Sequence, residues 1–193
     1  MSRVRLIPVA AQRRVPWKNG LGVTREVAVS PEDADVGERF RWRVSLATVE
    51  RSCPFSEFHG YERTLLLLSG DGLALDFGEA APPRTLTAPL EPCTFQGEWR
   101  TTCRLVGGPV EDLNVMTDRT RAAATVEVVR AAVARDLDGE ALVVVAAQGG
   151  ARVTVAGQAH ALAAGDALRV DGRPGVVDLA PEGALVLAVF SGR

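Results

Sequence analysis

The chain has 193 residues, 22 of them basic and 24 acidic, for a formal charge of -2. Such a balance argues against a nucleic-acid surface, which needs a clustered cationic face to compete for phosphates. A hydrophobic share of 47% supplies core for one large domain or two small ones, and the longest apolar runs (141–147 and 184–190) are far too short to span a bilayer as helices.

The opening "MSRVRLIPVAAQRR" carries basic residues and an apolar patch that Pro8 interrupts, shorter than the apolar region of a secretory signal. Three cysteines, Cys53, Cys93 and Cys103, form no even framework and suit reduced thiols, so a cytoplasmic location is expected. Next comes "VPWKNGLGVTRE" (15–26), in which Asn19-Gly20 marks a tight turn because both residues tolerate positive φ. A turn alone does not call for Trp17 and Lys18 before it, or for Thr24 and Glu26 alternating after it. The segment 30–38 reads as a surface loop. "RFRWRVSLATV" (39–49) alternates as a strand, with Phe40, Trp42, Val44 and Leu46 on one face and Arg41, Arg43, Ser45 and Ala47 on the other. "PFSEFHGYER" (54–63) ends in Arg63 just before an apolar strand, and "DLNVMTDR" (112–119) carries Asn114 and Met116 in an extended segment.

Two Gly-punctuated hairpins stand out, "TLLLLSGDGLALDF" (64–77) and "ALVVVAAQGGARVTV" (141–155). Setting Gly72 against Gly150 pairs Leu66 with Val144, Leu67 with Val145, Leu75 with Val153 and Phe77 with Val155. Each hairpin is followed by a turn feeding a short strand (90–95 and 163–170) and by one more apolar strand (101–106 and 184–190). Helix periodicity is scarce throughout. The pattern predicts an all-β chain of two small barrels or sandwiches, residues 1–129 and 130–193, with the charged, Ala-rich stretch 130–140 as the joint.

Chemistry-bearing motifs are few. A metal site needs three or four converging His, Cys or carboxylate ligands. The two histidines, His59 and His160, fall one in each half and the cysteines lack C-x-x-C spacing, so no metal and no cofactor is expected. No G-x-S-x-G elbow is present, Cys53 has only His59 nearby as a base, and "SGDG" (69–72) lies between two strands where a phosphate loop would need a helix. What remains is a set of polar clusters inside apolar strands: Trp17, Lys18 and Asn19; Arg43 and Ser45; Arg63; Asn114 and Met116. Arginine offers a bidentate fork to a carboxylate, which favours an anion. Each cluster also has a plain structural reading, as solvated strand face, turn or hairpin entry.

"PWKNGLGVTRE", "WRVSLATVERSCPFSEFHGYERTLLLLSGDGL" and "LVGGPVEDLNVM" resemble, in the same order, the signature blocks of the HutD/Ves family, over about the first 120 residues. Residues 121–193 are similar only to a generic cupin-like half. The resemblance implies a bicupin, two small cupin-like β-barrels or jelly rolls packed in one compact unit. It also implies a protein that modulates histidine utilisation by binding a small acidic intermediate such as urocanate or formylglutamate. On that reading Asn19-Gly20 turns the chain at the barrel rim, Gly22 permits close backbone approach, Lys18 attracts an anion and Trp17 walls the cavity. Thr24 and Glu26 point inward, Arg63 and Arg43 take the carboxylate, and Asn114 serves as a neutral hydrogen bonder. Two alternatives stay open for these residues: Trp17 as core, and Glu26 as ion-pair partner of Arg43 or Arg63. The second functional class is a metal-independent cupin-fold enzyme, an isomerase or hydrolase with Glu26 or His59 as acid–base. A third is an interacting protein that dimerises through exposed strand edges.

Overall fold

The computed structural model describes residues 2–17, 22–32, 34 and 39–193, and almost all of its regular structure is strand. In chain order the strands are β1 (Arg3–Ile7), β2 (Arg13–Pro16), β3 (Gly22–Ser30), β4 (Trp42–Val49), β5 (Cys53–Pro54) and β6 (Tyr61–Ser69). There follow β7 (Leu73–Asp76), β8 (Arg84–Leu86), β9 (Pro92–Gln96), β10 (Thr102–Leu105), β11 (Val110–Asp118), β12 (Ala122–Val129) and β13 (Val133–Leu137). The last are β14 (Ala141–Gln148), β15 (Ala151–Val155), β16 (Gln158–Leu162), β17 (Ala167–Asp171), β18 (Gly175–Pro181) and β19 (Ala184–Gly192). No helix among the described residues is long and apolar enough to cross a membrane.

The chain divides into two units, residues 13–120 and residues 121–193 together with the segment up to Gln12. In the first, the sheet β2-β3-β4-β11-β6-β9 faces the sheet β5-β10-β7-β8 across a shared core that includes Leu65, Leu67, Leu73, Leu75, Phe95 and Cys103. In the second, β1-β17-β14-β19-β12 faces β13-β18-β15-β16 across Leu142, Val144, Leu168, Val153, Val177 and Leu187. The two strand orders are the same once the numbering is advanced by eight: β4-β11-β6-β9 becomes β12-β19-β14-β17, and β5-β10-β7-β8 becomes β13-β18-β15-β16. The internal repeat is therefore a repeat of topology. Each unit buries one face of each sheet against the other, which is what the period-2 alternation of these strands calls for.

Three details depart from the sequence reading. The boundary lies at 120/121, because β12 pairs along its length with β19 and supplies the strand equivalent to β4. The N-terminal strand leaves its own half: β1 pairs with β17 over all five residues, from Arg3 opposite Asp171 to Ile7 opposite Ala167. The stretch 130–140, expected as a joint, contains β13, an edge strand whose alternating exposure explains its charged and Ala-rich composition.

A further departure is a slip of one residue in the hairpin alignment. Three residues (Gly70, Asp71, Gly72) separate β6 from β7, whereas two (Gly149, Gly150) separate β14 from β15. Gly72 has φ +130 and its added Cβ would lie 2.7 Å from the Leu86 carbonyl oxygen, so the longer turn demands glycine there. Leu75 and Phe77 still match Val153 and Val155, but the inward partner of Leu67 becomes Ala146, since Val145 faces out of that core.

Candidate functional site

Register fixes which side chains share the interior of the first barrel. Val49, Leu65, Leu67, Cys93, Phe95 and Val110 belong to its core, and residues opposite them or two apart on the same strand point the same way. Arg43 on β4 pairs with Met116 on β11, which pairs with Arg63 on β6, which pairs with Phe95 on β9. The next row runs Glu26 (β3), Ser45, Asn114, Leu65, Cys93, and the third Thr24, Ala47, Asp112, Leu67. Strand alternation thus gathers Thr24, Glu26, Arg43, Ser45, Arg63, Asn114 and Met116 on one concave face.

Arg63 is the centre of this face. Its side chain is buried, and its Nη2 donates to Asn114 Oδ1 at 2.9 Å. The guanidinium carbon lies 5.1 Å from the Phe55 ring, 5.1 Å from Phe95 and 5.8 Å from Phe58, distances at which ring faces attract a cation. Burial lowers its pKa to about 10, against the pull of Asp112. It therefore stays charged at neutral pH. Arg43 sits 4.7 Å from the Phe40 ring and 5.4 Å from Phe58, and its Nη2 lies 3.5 Å from Met116 Sδ, a weak acceptor. Its pKa too is lowered, by burial first, with Glu26 and Tyr61 acting the other way. Phe58 is a wall common to both guanidiniums.

Neither cation has a salt-bridge partner among the described residues, and the Nε of each is buried without a hydrogen-bond acceptor. The carboxylate nearest in this network is Asp112, and it reaches Arg63 only through Asn114, whose Nδ2 donates to Asp112 Oδ1. Asp112 is itself buried and its Oδ2 is unpartnered. Burial pushes its carboxyl up to about 7, with Arg63 and the Asn114 hydrogen bond holding it down.

With that geometry in view, the HutD family model matches residues 9–187. The chain belongs to the HutD family. It is 32% identical over the full length of both chains to an uncharacterized 21.2 kDa protein in the hutC 3' region of Pseudomonas putida. With protein Ves of Citrobacter koseri it shares 38% identity over 60% of each chain. HutD from Pseudomonas fluorescens SBW25, in a formate condition, superposes with a TM-score of 0.84 at 30% identity, over 99% of this chain and 100% of that one. Oxalate decarboxylase from Lactobacillus farciminis, in a formate complex, shares the fold with a TM-score of 0.64 at 8% identity, over 96% of this chain and 85% of that one. The fold is a bicupin, and the family name ties this HutD protein to histidine utilisation.

The remaining expected site residues of the HutD chain fall as follows. Lys18 and Asn19 lie outside the described residues. Trp17 packs on the core cluster, its Nε1 donating to Thr24 Oγ1 at 2.8 Å, so it is core as much as wall and occupies the Thr24 hydroxyl. Gly22 makes this packing attainable, since its added Cβ would stand 3.0 Å from the Trp17 ring and 2.5 Å from the Thr48 carbonyl oxygen. Glu26 is ion-paired at 2.9 Å to Arg13 on β2; Arg43 and Arg63 are not its partners. Ser45 and Met116 are buried. His59, weighed as an acid–base group, is exposed and stands 3.4 Å from Glu57 outside the concave face.

Asp112 was missed, although Asp112, Asn114 and Met116 alternate along one strand and the pattern alone puts them on one face. Phe55 and Phe58 were missed because they lie on a loop, where no periodicity marks them. The cysteines are no nucleophiles: all three are buried, and burial raises each thiol, Cys103 to about 12. Among the described residues no three His, Cys or carboxylate side chains converge as metal ligands. Two guanidiniums at the centre of the donor set repel a metal cation, so the residues here do not fit a cupin metal and suit an anion.

Proposed function

We propose that this protein is a cytoplasmic binding protein for a small carboxylate metabolite and that it modulates histidine utilisation through that occupancy, without metal or cofactor. One observation carries the reading: two guanidiniums, Arg43 and Arg63, stand on one face against a common aromatic wall, each with an unpartnered Nε and neither in a salt bridge among the described residues. A buried cation without a direct ion pair is costly, and a carboxylate ligand offers both the charge and the two-oxygen geometry that a guanidinium fork takes. Asn114 and Ser45 add neutral hydrogen-bonding groups, and the phenyl rings of Phe55, Phe58 and Phe95 suit a flat or unsaturated body behind the carboxylate. The hutC 3' region of the Pseudomonas putida relative supports the link to histidine breakdown, whose acidic intermediates, urocanate and formylglutamate among them, are the expected ligands.

Calorimetric titration with formate, urocanate, formylglutamate, glutamate and histidine tests this. One of the acidic compounds saturates the wild-type protein and raises its melting temperature with concentration. Arg63→Met abolishes both effects while leaving the near-UV circular dichroism intact. Binding of none of them, or equal affinity in Arg63→Met, overturns the proposal.

A further inference from the structure

We infer that Asp112 is the proton-accepting counter-group of Arg63: an anion arriving at Arg63 draws a proton from solvent onto the Asp112 carboxyl, so that occupancy of the site is coupled to pH. The inference rests on the anion-binding reading above and concerns the regulation of that same site.

The geometry is a three-member line inside the barrel. Arg63 donates to Asn114 Oδ1, Asn114 donates to Asp112 Oδ1, and Asp112 Oδ2 ends the line buried and without a partner. On the flanking strands apolar residues stand opposite Asp112, Ala47 on β4 and Leu67 on β6. The titratable groups that act on it are Arg63 from β6, Glu111 on its own strand, Cys53 from β5 and Cys103 from β10. Both thiols are raised by burial and so carry no charge at neutral pH. Arg63 is therefore the cation that keeps a carboxylate in this position, and Asn114 is the polar bridge between them.

An anion at Arg63 cancels that attraction and brings a second negative charge into the same interior. A buried carboxylate that loses its cation takes a proton, because burial penalises the charged form. Charge then balances: one anion enters, one proton follows, and both cations remain. The direction follows from linkage. The ligand-free carboxyl titrates near 7, and the occupied form holds its proton to higher pH. Above about 7 the bound state thus carries more protons than the free state, and affinity falls as pH rises, by at most about tenfold per pH unit. Below that pH Asp112 is already neutral and contributes no slope.

The test has two arms. In the first, formate and urocanate are titrated calorimetrically at about pH 7.5 in buffers of different ionisation enthalpy, and affinity is followed from about pH 6 to about pH 9. Wild-type protein takes up a fraction of a proton per ligand and loses affinity above neutrality. Asp112→Asn binds with no proton uptake and with a flat pH profile. Binding of wild type without proton uptake and without slope overturns the inference while the binding reading stands. In the second arm no ligand is used: the protonated-carboxyl infrared band that Asp112→Asn removes is titrated with pH in wild type and in Arg63→Met. The band appears near neutral pH in wild type and persists to higher pH once the Arg63 charge is gone. A band that appears only in the ordinary carboxylate range of wild type, or one unmoved in a folded Arg63→Met, overturns the inference even if no carboxylate binds.

Discussion

The two units share one topology, and one stretch of the first unit's interior is polar and charged where the second unit's is aliphatic. Strand pairing places Asn114 and Leu65 of the first unit where the second has Leu187 and Val144, since each pair faces the other across the equivalent two strands. By the same register Arg63 corresponds to Leu142, Asp112 to Leu185 and Phe95 to Val170. All five counterparts in the second unit belong to its aliphatic core. A barrel of this kind closes well on leucine and valine. The first unit departs from that solution at Arg63, Asn114 and Asp112, on adjacent strands, and surrounds the departure with phenyl rings. The second barrel thus shows that the scaffold closes on aliphatic residues alone, and the difference between the two marks the residues on which the proposed binding rests.

The sharpest way to break the comparison is to transplant the charge. Leu142→Arg puts into the second barrel the residue that the first holds at the equivalent position, but with neither an amide relay nor aromatic rings to receive it. Loss of the folded state is expected, more than about 4 kcal/mol, read as insolubility or as absence of a cooperative thermal transition. A soluble, folded Leu142→Arg protein removes the claim that the two interiors differ in tolerance.

The reverse exchange, Arg63→Met, leaves a folded protein and lowers affinity for the carboxylate by about 30-fold or more, since a buried charge-assisted contact of this kind contributes roughly 2–5 kcal/mol. Calorimetric titration beside a melting curve separates the two effects. Asp112→Asn comes next in size. Because burial raises the folded-state pKa of Asp112 to about 7, its favourable contribution is present at acid pH and is lost as pH rises from about 4 through about 7. Asp112→Asn should therefore match wild type near pH 4 and exceed it by roughly 1–4 kcal/mol above pH 7, a gap that denaturant melts across the pH range measure directly. A gap that shrinks as pH rises would reverse the sign and sink the assignment.

Legibility followed the range of the interactions. Period-2 alternation is local, so the strands and the shared face of Arg43, Ser45, Asn114 and Met116 could be read from the sequence. The paired hairpins carried the repeat, yet one extra turn residue before Leu73 shifted its register. The pairing of β1 with β17 joins Arg3 to Asp171, and no local pattern records a contact so distant in sequence. Aromatic walls on the 55–58 loop depend on where that loop folds back: Phe55 and Phe58 donate backbone hydrogen bonds to Thr101 and Gly97, again distant partners. Asp112 was legible by the same alternation that exposed Asn114. It was passed over because a carboxylate beside an expected anion site looks like a contradiction until its burial and its link to Arg63 are known.

Trp17 gives the smallest effect and separates scaffold from ligand wall within the first barrel. Its backbone N–H donates to the Gly22 carbonyl at 3.0 Å, its ring lies over Gly22 and against the core, and its indole N–H is taken by Thr24. A donor already satisfied inside the protein is not available to a ligand. Trp17→Phe keeps most of the ring contact and removes only the hydrogen bond, so a loss of about 1 kcal/mol in stability is expected. Formate affinity should stay within about twofold, because Arg43, Arg63 and the Phe58 wall are untouched. Calorimetric melting with titration of the same variant reads both quantities. A tenfold loss of affinity with unchanged stability would move Trp17 from the scaffold to the site, and with it one edge of the site from β6 and β11 toward β2 and β3.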